Sequence, residues 1–215
     1  MPRLAPHKER MFSKTSVFCY LTGMNIEQIQ RLHRKHATSD TAYDFIYIHC
    51  QAVADIARQL INSNNLKVDE ELIQTGALLH DIGAYKFIDA DGNFDSEYIC
   101  HGVEGYKILK AEGLPETLCR IAERHTGVGL TKEHIVESNL PLPHRDLIAE
   151  TLEEELIMYA DKYHSKPPRF NSFESYRVHA QRFGKDNVLK FEAFAKKFGV
   201  PNLQPLSKKY GHPIA

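Results

Sequence analysis

A helical repeat of apolar residues runs through most of this chain and limits its fold more than any other feature. It is clearest over residues 41–62, where apolar side chains recur every three or four positions, as on one face of an α-helix. Ser39, Asp40 and Thr41 stand before that stretch and are residue types that cap helix N-termini. The apolar stripe consists of Phe45, Ile48, His49, Ala52, Val53, Ile56 and Leu60. The pattern predicts a long helix with one buried face.

Similar periodicity elsewhere, interrupted by glycine and proline, predicts an all-α domain. The predicted helices cover 25–36, 41–62, 69–82, 99–112, 115–125, 146–165, 173–183 and 186–198. Gly83 is expected to end the third helix, and the prolines at 167 and 168 prevent the sixth from continuing. The turn-rich stretches 89–98 and 126–145 are predicted to be loops.

The length of 215 residues suits one sizeable domain with extensions. The helical pattern begins at Asn25, so residues 1–24 are predicted to be an N-terminal extension outside the core. Residues 25–200 form the predicted helical domain. The polar, proline-containing residues 201–215 are expected to be a C-terminal tail on the surface.

Charge and cysteine content exclude several classes of protein. There are 27 basic and 28 acidic residues, and this balance gives no electrostatic footprint for nucleic acid or an anionic membrane. No apolar run reaches membrane-spanning length. The four cysteines include no C-x-x-C pair, which indicates reduced thiols rather than a disulfide framework. We therefore expect a cytoplasmic protein that binds neither membranes nor long nucleic acids.

Two polar residues end the predicted buried helix in GALLHDIGAYK, residues 76–86. Asp81 follows His80 there, and a carboxylate at a helix C-terminus is unfavourable because the helix dipole is already negative. A divalent metal bound by both side chains would compensate it, and so would the nearby Lys86. His49 also has two interpretations, a metal ligand or a core residue, and a single histidine in an apolar stripe is more often a hydrogen-bonded core residue than a ligand.

Three further metal-capable residues lie near predicted helix ends. His101 opens the fourth helix, His125 closes the fifth, and Asp161 follows an apolar patch in the sixth. Each has an ordinary alternative: a polar residue at a helix start, a partner of the helix dipole, and a solvated carboxylate. A buried, unpaired carboxylate at Asp161 would be strongly destabilising, so a neighbouring cation is expected if that position is buried.

The ordered series His49, His80, Asp81, His101, His125 and Asp161 resembles the HD-domain superfamily of metal-dependent phosphohydrolases. HDIG at 80–83 is similar to the HDIG-type subgroup, and the resemblance covers roughly residues 40–165. HGVEGYKILKAEGLP, from residue 101, resembles a smaller subgroup without an assigned substrate. The resemblance implies an all-α HD-domain helical bundle, which the helices after residue 165 extend at the C-terminus.

The resemblance also implies roles for the six residues. His49, His80, Asp81 and Asp161 would bind one metal ion, and His101 and His125 a second, with the Asp81 carboxylate bridging both. Asp81 would also orient the attacking water and so act as the catalytic residue. Histidine and aspartate ligands favour iron or manganese, with zinc as a further possibility.

The implied function is hydrolysis of a phosphate ester or anhydride of a nucleotide or other small molecule by metal-activated water. Lys86, Thr126 and Lys162 are the candidate substrate-binding residues, because they adjoin the metal-binding positions. Ala84 stands where some HD phosphodiesterases carry lysine, which argues against hydrolysis of a cyclic dinucleotide. The alternative function is a non-catalytic, metal- or nucleotide-binding regulatory protein of the same fold.

Overall fold

The structure is a computed structural model that describes residues 24–215, and helices dominate that part of the chain. The all-α prediction is confirmed: ten α-helices occur there, beside one two-stranded sheet. The helices are α1 Ile26–His36, α2 Asp40–Asn64, α3 Glu70–Leu79, α4 His101–Ala111, α5 Glu116–Arg124, α6 Lys132–Glu137, α7 Leu152–Asp161, α8 Phe173–Ala180, α9 Lys185–Phe198 and α10 Leu203–Tyr210. The predicted extension, residues 1–23 in particular, lies outside the described residues.

Helix α2 is the central element of the core. Its N-terminus is capped by Ser39, whose side chain accepts a hydrogen bond from the Ala42 amide, and it ends at Asn65 in a left-handed conformation with φ of 52°. Five of the seven residues in the predicted stripe are buried and two, Phe45 and Ile48, are half-buried, and α2 packs against α3, α7 and α10. A stripe this wide needs several neighbours, so α2 becomes the axis around which the bundle is assembled.

Helix α3 ends three residues earlier than predicted. It stops at Leu79, and a 3₁₀ helix follows at Ile82–Phe87. Gly83 does not terminate a helix in the left-handed conformation. It provides close contact instead, because a Cβ at Gly83 would lie 2.0 Å from the His101 carbonyl oxygen and 2.3 Å from the Gly105 nitrogen of α4. The glycine therefore lets the chain after α3 touch the backbone of α4.

The stretch 126–145 contains more structure than the predicted loop. Helix α6 lies within it, capped by Thr131, and Leu130 pairs with Leu147 in an isolated bridge. Two apolar side chains of this stretch, Ile135 and Leu142, form a small core of their own with Leu147. The sequence pattern missed α6 because six residues are too few to show helical periodicity.

The C-terminal third also differs from the prediction. The predicted helix 146–165 is shorter, spanning Leu152–Asp161, and an antiparallel hairpin follows with strands β1 His164–Ser165 and β2 Arg169–Phe170. The expected surface tail includes α10, and its last residue pairs with β2, since the Ala215 amide donates to the Phe170 carbonyl. The two prolines lie in the turn of the hairpin, where no amide hydrogen is needed for strand pairing.

Within residues 24–215, no helix combines the length and the apolar character that crossing a membrane requires.

Candidate metal centre

The six candidate ligands meet in one cluster, where the ends of α3, α5 and α7 and the start of α4 face the middle of α2. The six-residue cluster consists of His49, His80, Asp81, His101, His125 and Asp161. Five of these side chains are buried, and that of Asp161 is 12% exposed. Residues from five separate helical regions thus supply one polar centre inside an apolar core.

The Asp81 carboxylate lies between two pairs of histidines. Its Oδ2 is 3.2 Å from His49 Nε2 and 3.5 Å from His80 Nε2. Its Oδ1 is 3.3 Å from His101 Nε2 and 3.2 Å from His125 Nε2. Each oxygen of one buried carboxylate therefore faces a different pair of imidazoles.

Three of the histidines are oriented by the same contact to the backbone. The Nδ1 atoms of His80, His101 and His125 lie 2.7, 2.6 and 2.7 Å from the carbonyl oxygen three residues earlier. A carbonyl only accepts hydrogen bonds, so each Nδ1 carries a proton and each Nε2 faces the cluster. Burial lowers the pKa of His101 to about 3, which keeps that ring neutral.

His49 is oriented by a histidine instead of a carbonyl. Its Nδ1 lies 3.0 Å from His164 Nδ1, and His164 Nε2 lies 2.9 Å from His212 Nδ1. His164 is buried on β1, and His212 belongs to the C-terminal segment that pairs with β2. A row of three imidazoles therefore connects the cluster with the chain's last residues.

Asp161 connects the cluster to a buried lysine. Its Oδ1 is 2.9 Å from His49 Nε2, and its Oδ2 is 2.6 Å from Lys162 Nζ. Lys162 Nζ also donates to the His125 carbonyl at 3.0 Å. Burial raises the pKa of Asp161, but the charge of Lys162 and hydrogen bonds from His49 and His80 outweigh it and hold that pKa well below its usual range. Asp161 is therefore charged and fixed in place.

A second lysine, Lys166, contacts the bridging aspartate. Its Nζ lies 2.5 Å from Asp81 Oδ2 and 5.2 Å from the centre of the Tyr98 ring. Burial raises the pKa of Asp81, but the charges of Lys166 and His80 hold it well below its usual range. Sequence reasoning missed both Lys166 and His164. Both lie within five residues of Asp161, but closeness in sequence does not by itself mark a residue as part of a site.

The cluster has the donor set of a divalent transition-metal site. Both Asp81 oxygens are buried and accept no hydrogen bond of ordinary geometry, and His101 Nε2 and His125 Nε2 lie 2.9 Å apart although each carries a lone pair. A cation among these atoms would replace lone-pair repulsion with coordination. Three sets of side chains have ligand atoms within 4.8 Å of one another. The sets are His49–His80–Asp81, His80–His125–Asp161 and Asp81–His101–His125.

The predicted substrate-binding residues fall into two groups. Thr126 and Lys162 line a cavity of about 950 Å³ that opens from the cluster, together with His101, His125 and Asp161. Lys86 does not line it, because its half-exposed side chain forms an ion pair with Glu104 on α4. The structure therefore does not bring Lys86 to the cavity, and it places Lys166 there instead.

The HD-domain family model matches residues 46–166. Uncharacterized protein MJ0778 of Methanocaldococcus jannaschii is 37% identical over 142 residues, which cover 65% of this chain and 78% of that protein. Two relatives are named tRNA (cytidine(56)-2'-O)-methyltransferase. The Picrophilus torridus protein is 36% identical over 57% of this chain, and the Thermoplasma volcanium protein 29% identical over 71%. The aligned regions span only 32% and 42% of these methyltransferases.

Two solved structures with a similar fold are the HD domain of the L. monocytogenes phosphodiesterase PgpH, one of them in complex with cyclic-di-AMP. Their TM-scores are 0.52 for the complex and 0.53 for the domain without that ligand, at 16% and 15% identity. Both comparisons cover 85% of this chain, and they cover 97% and 98% of those domains. At this level of identity the likeness concerns the arrangement of helices alone.

Proposed function

This chain belongs to the HD-domain family, and on that premise we propose that it is a metal-dependent phosphohydrolase. Its substrate would be a nucleotide or another small phosphate ester or anhydride. The observation that carries the proposal is the position of Asp81, whose two carboxylate oxygens each face a separate pair of histidines. A carboxylate in that position can be shared between two cations.

We assign the six-residue cluster to two divalent ions. The first would be bound by His49, His80, Asp81 and Asp161, and the second by the histidines of α4 and α5 with the shared Asp81 carboxylate. The donors are imidazole nitrogens and carboxylate oxygens, which favours iron or manganese and also admits zinc. When bound, such ions acidify water and neutralise charge on phosphoryl oxygens.

The side chains around the cluster support this chemistry in three ways. Asp81, acting as the catalytic residue, accepts a hydrogen bond from the attacking water and orients it. Lys162 and Lys166 are cations at the cavity wall beside Asp161 and Asp81, where they can donate to the phosphoryl oxygens of a substrate. Thr126, beside His125, adds a hydroxyl at the same wall.

The test combines metal content with hydrolysis on the full chain. Protein purified without an affinity tag and loaded with manganese or iron should contain about two metal equivalents and hydrolyse at least one ester in a panel of mononucleotides, dinucleotides and bis-p-nitrophenyl phosphate. His80→Ala and Asp81→Asn should lose both properties while keeping their helical circular dichroism. His144→Ala is the matched control, since this histidine is exposed and outside the cluster.

Two further ligands belong in the panel because of the relatives. Cyclic-di-AMP is bound by the PgpH domain, although Ala84 argues against a cyclic dinucleotide here. A short RNA represents the tRNA methyltransferases that share this region. Metal binding without hydrolysis of any substrate in the panel would favour the regulatory alternative, and wild-type activity in metal-free Asp81→Asn would refute the proposal.

A further inference from the structure

The cavity extends well beyond the six-residue cluster. Its volume of about 950 Å³ is at the upper end of the range for small-molecule sites. One end is formed by His101, His125 and Asp161 of the cluster. The rest of the lining includes Arg169 on the hairpin strand β2, Tyr176 and His179 on α8, and Arg182 and Phe183 in the turn after it. A single phosphate group at the cluster would leave this second region unoccupied.

The second region contains two arginines without a carboxylate partner. Residues 24–215 include nine arginines, and seven of them form ion pairs with aspartate or glutamate. The paired ones are Arg31, Arg34, Arg58, Arg120, Arg124, Arg145 and Arg177. Within the described chain, the two exceptions are Arg169 and Arg182, and both line the cavity. Their positive charge is not neutralised by the protein.

The hairpin explains how Arg169 comes to face the cavity. In the antiparallel register Ser165 lies opposite Arg169, and His164 lies opposite Phe170. Opposite residues share a face of the sheet, so the buried pair His164 and Phe170 points to the core while Ser165 and Arg169 point the other way. Ser165 and Arg169 both line the cavity, and His164 lines it as well, beside the six-residue cluster.

Arg182 approaches the same region from the turn that follows α8. Both arginines lie close enough to His179 for their charges to affect its pKa. Burial is the largest cause that lowers this pKa, and the charges of Arg182, Arg169 and Lys162 lower it further. Arg169 and Arg182 are therefore two cations near one imidazole of lowered basicity at the cavity wall, and we call Arg169, Arg182 and His179 the distal arginine site.

We propose that the distal arginine site binds a second phosphate group of the substrate, so that the substrate is a nucleotide with two phosphates on different sides of its nucleoside. The proposal rests on the phosphohydrolase function, which places the first phosphate at the six-residue cluster. Guanidinium groups bind phosphate through paired, charge-assisted hydrogen bonds, and free arginines on a cavity wall suit that role.

An exposed aromatic ring supports a nucleoside as the part between the two phosphates. Phe183 lines the cavity and is 55% exposed, and one edge contact, to His179 at 5.4 Å between ring centroids, holds it. Exposing a phenylalanine to water is unfavourable, and its free face can stack on a nucleobase. Phosphates at two cationic sites with a base on Phe183 describe a bisphosphorylated nucleoside or a linear dinucleotide.

The experiment compares two nucleotides on the manganese-loaded full chain: adenosine 5′-monophosphate and adenosine 3′,5′-bisphosphate. Binding is measured by calorimetry, and the recovered nucleotide is checked for hydrolysis by chromatography, with KM replacing Kd where turnover occurs. The parent protein should bind the bisphosphate at least about tenfold more tightly than the monophosphate, as expected for a charged hydrogen-bonding pair. The double variant Arg169→Gln, Arg182→Gln should bind both nucleotides equally.

Arg177→Gln is the matched control, because Arg177 lies on α8 but is paired with Glu174 at 2.7 Å and does not line the cavity. It should keep the preference for the bisphosphate, and all variants should keep the parent's metal content. An unchanged preference in the double variant would overturn the proposal, as would no preference or no bisphosphate binding in the parent.

Measuring hydrolysis in the same experiment distinguishes a failure of this proposal from a failure of the proposed phosphohydrolase function. An arginine-dependent preference without hydrolysis of either nucleotide would support the distal arginine site and count against the proposed reaction. Hydrolysis combined with an unchanged preference in the double variant would support the reaction and overturn the distal site.

Discussion

Gly83 is the residue of the HDIG sequence whose replacement should best test how closely the turn after α3 packs against α4. Its ideal Cβ would lie 2.0 Å from the His101 carbonyl oxygen and 2.3 Å from the Gly105 nitrogen. In a helix these two groups form the hydrogen bond that closes the first turn of α4. The shortest tolerable contact between carbon and a carbonyl oxygen is roughly 3.3 Å, so Gly83→Ala would require a displacement of about 1.3 Å.

Backbone atoms cannot turn aside as side chains can, so the substitution must move α4 or the turn after α3. Overpacking of this kind costs about 3 kcal/mol at the upper end of its usual range. For a chain of 215 residues, that loss lowers Tm by roughly 6–12 °C. Since the clash falls on the backbone of His101, the ring that faces His125 should shift as well, and the protein should retain less than two metal equivalents.

Calorimetric unfolding and elemental analysis of Gly83→Ala test both expectations. Gly105→Ala is the matched control, because its Cβ would lie 3.2 Å from the Ala122 side chain and no closer than 3.5 Å to backbone atoms, and alanine favours the helix. The control should stay within a few degrees of the parent. If Gly83→Ala unfolds at the parent's temperature and binds the parent's metal content, the close contact between the HDIG turn and α4 is refuted.

Three other predictions address separate parts of the structure. Burial lowers the pKa of His33 to about 4, below the value of about 6.5 for an exposed histidine, so this ring adds stability above pH 6.5 that is lost as the pH falls towards 4. Urea unfolding of chelator-treated His33→Gln should therefore show a flatter loss of stability between pH 7 and pH 5 than the parent. His212→Ala removes the outer member of the imidazole row and should weaken manganese retention during dialysis about tenfold, with helical content unchanged. Lys162→Gln should raise KM for the hydrolysed ester about tenfold, and an unaltered KM would exclude Lys162 from phosphate binding.

The sequence predicted the helical elements with long periodic patterns and missed those without them. Helix α2 was predicted to within two residues at its C-terminal end, because its apolar stripe continues from Phe45 to Leu60, over about four turns. Helices α6 and α10 were not predicted, because the six residues of α6 are too few to show periodicity and α10 lies in a polar, proline-containing segment. The tail's path beside β2 depends on backbone pairing at Phe170, and amino-acid sequence carries little information about such contacts.

The residues of the candidate site also differ in how well the sequence predicted them. The resemblance selected six residues, and the structure brings all six together. Lys86 was chosen for its closeness in sequence to Asp81, but the 3₁₀ turn directs it to Glu104 on the surface. Lys166 was missed because a lysine in a proline-rich turn has no local signal, and only the hairpin places it beside Asp81.

The unfavourable position of Asp81 at a helix end is explained by the electrostatics of the whole cluster. Helices α3, α5 and α7 all end at it, and each helix C-terminus carries a partial negative charge of roughly half an electron. The last carbonyls of a helix also lack partners, and two of them, at Ala77 and Ala122, accept the Nδ1 protons of His80 and His125. One contact therefore satisfies the helix end and fixes the tautomer that directs an Nε2 lone pair inward.

The cluster concentrates negative charge, since three negative helix ends and two aspartates lie close together and the imidazoles point lone pairs at them. This arrangement is unfavourable unless a cation lies among these groups. The lysines that contact Asp81 and Asp161 supply part of that charge, and divalent ions would supply the remainder. The same features that make this arrangement unfavourable without cations would give it a high affinity for divalent ions.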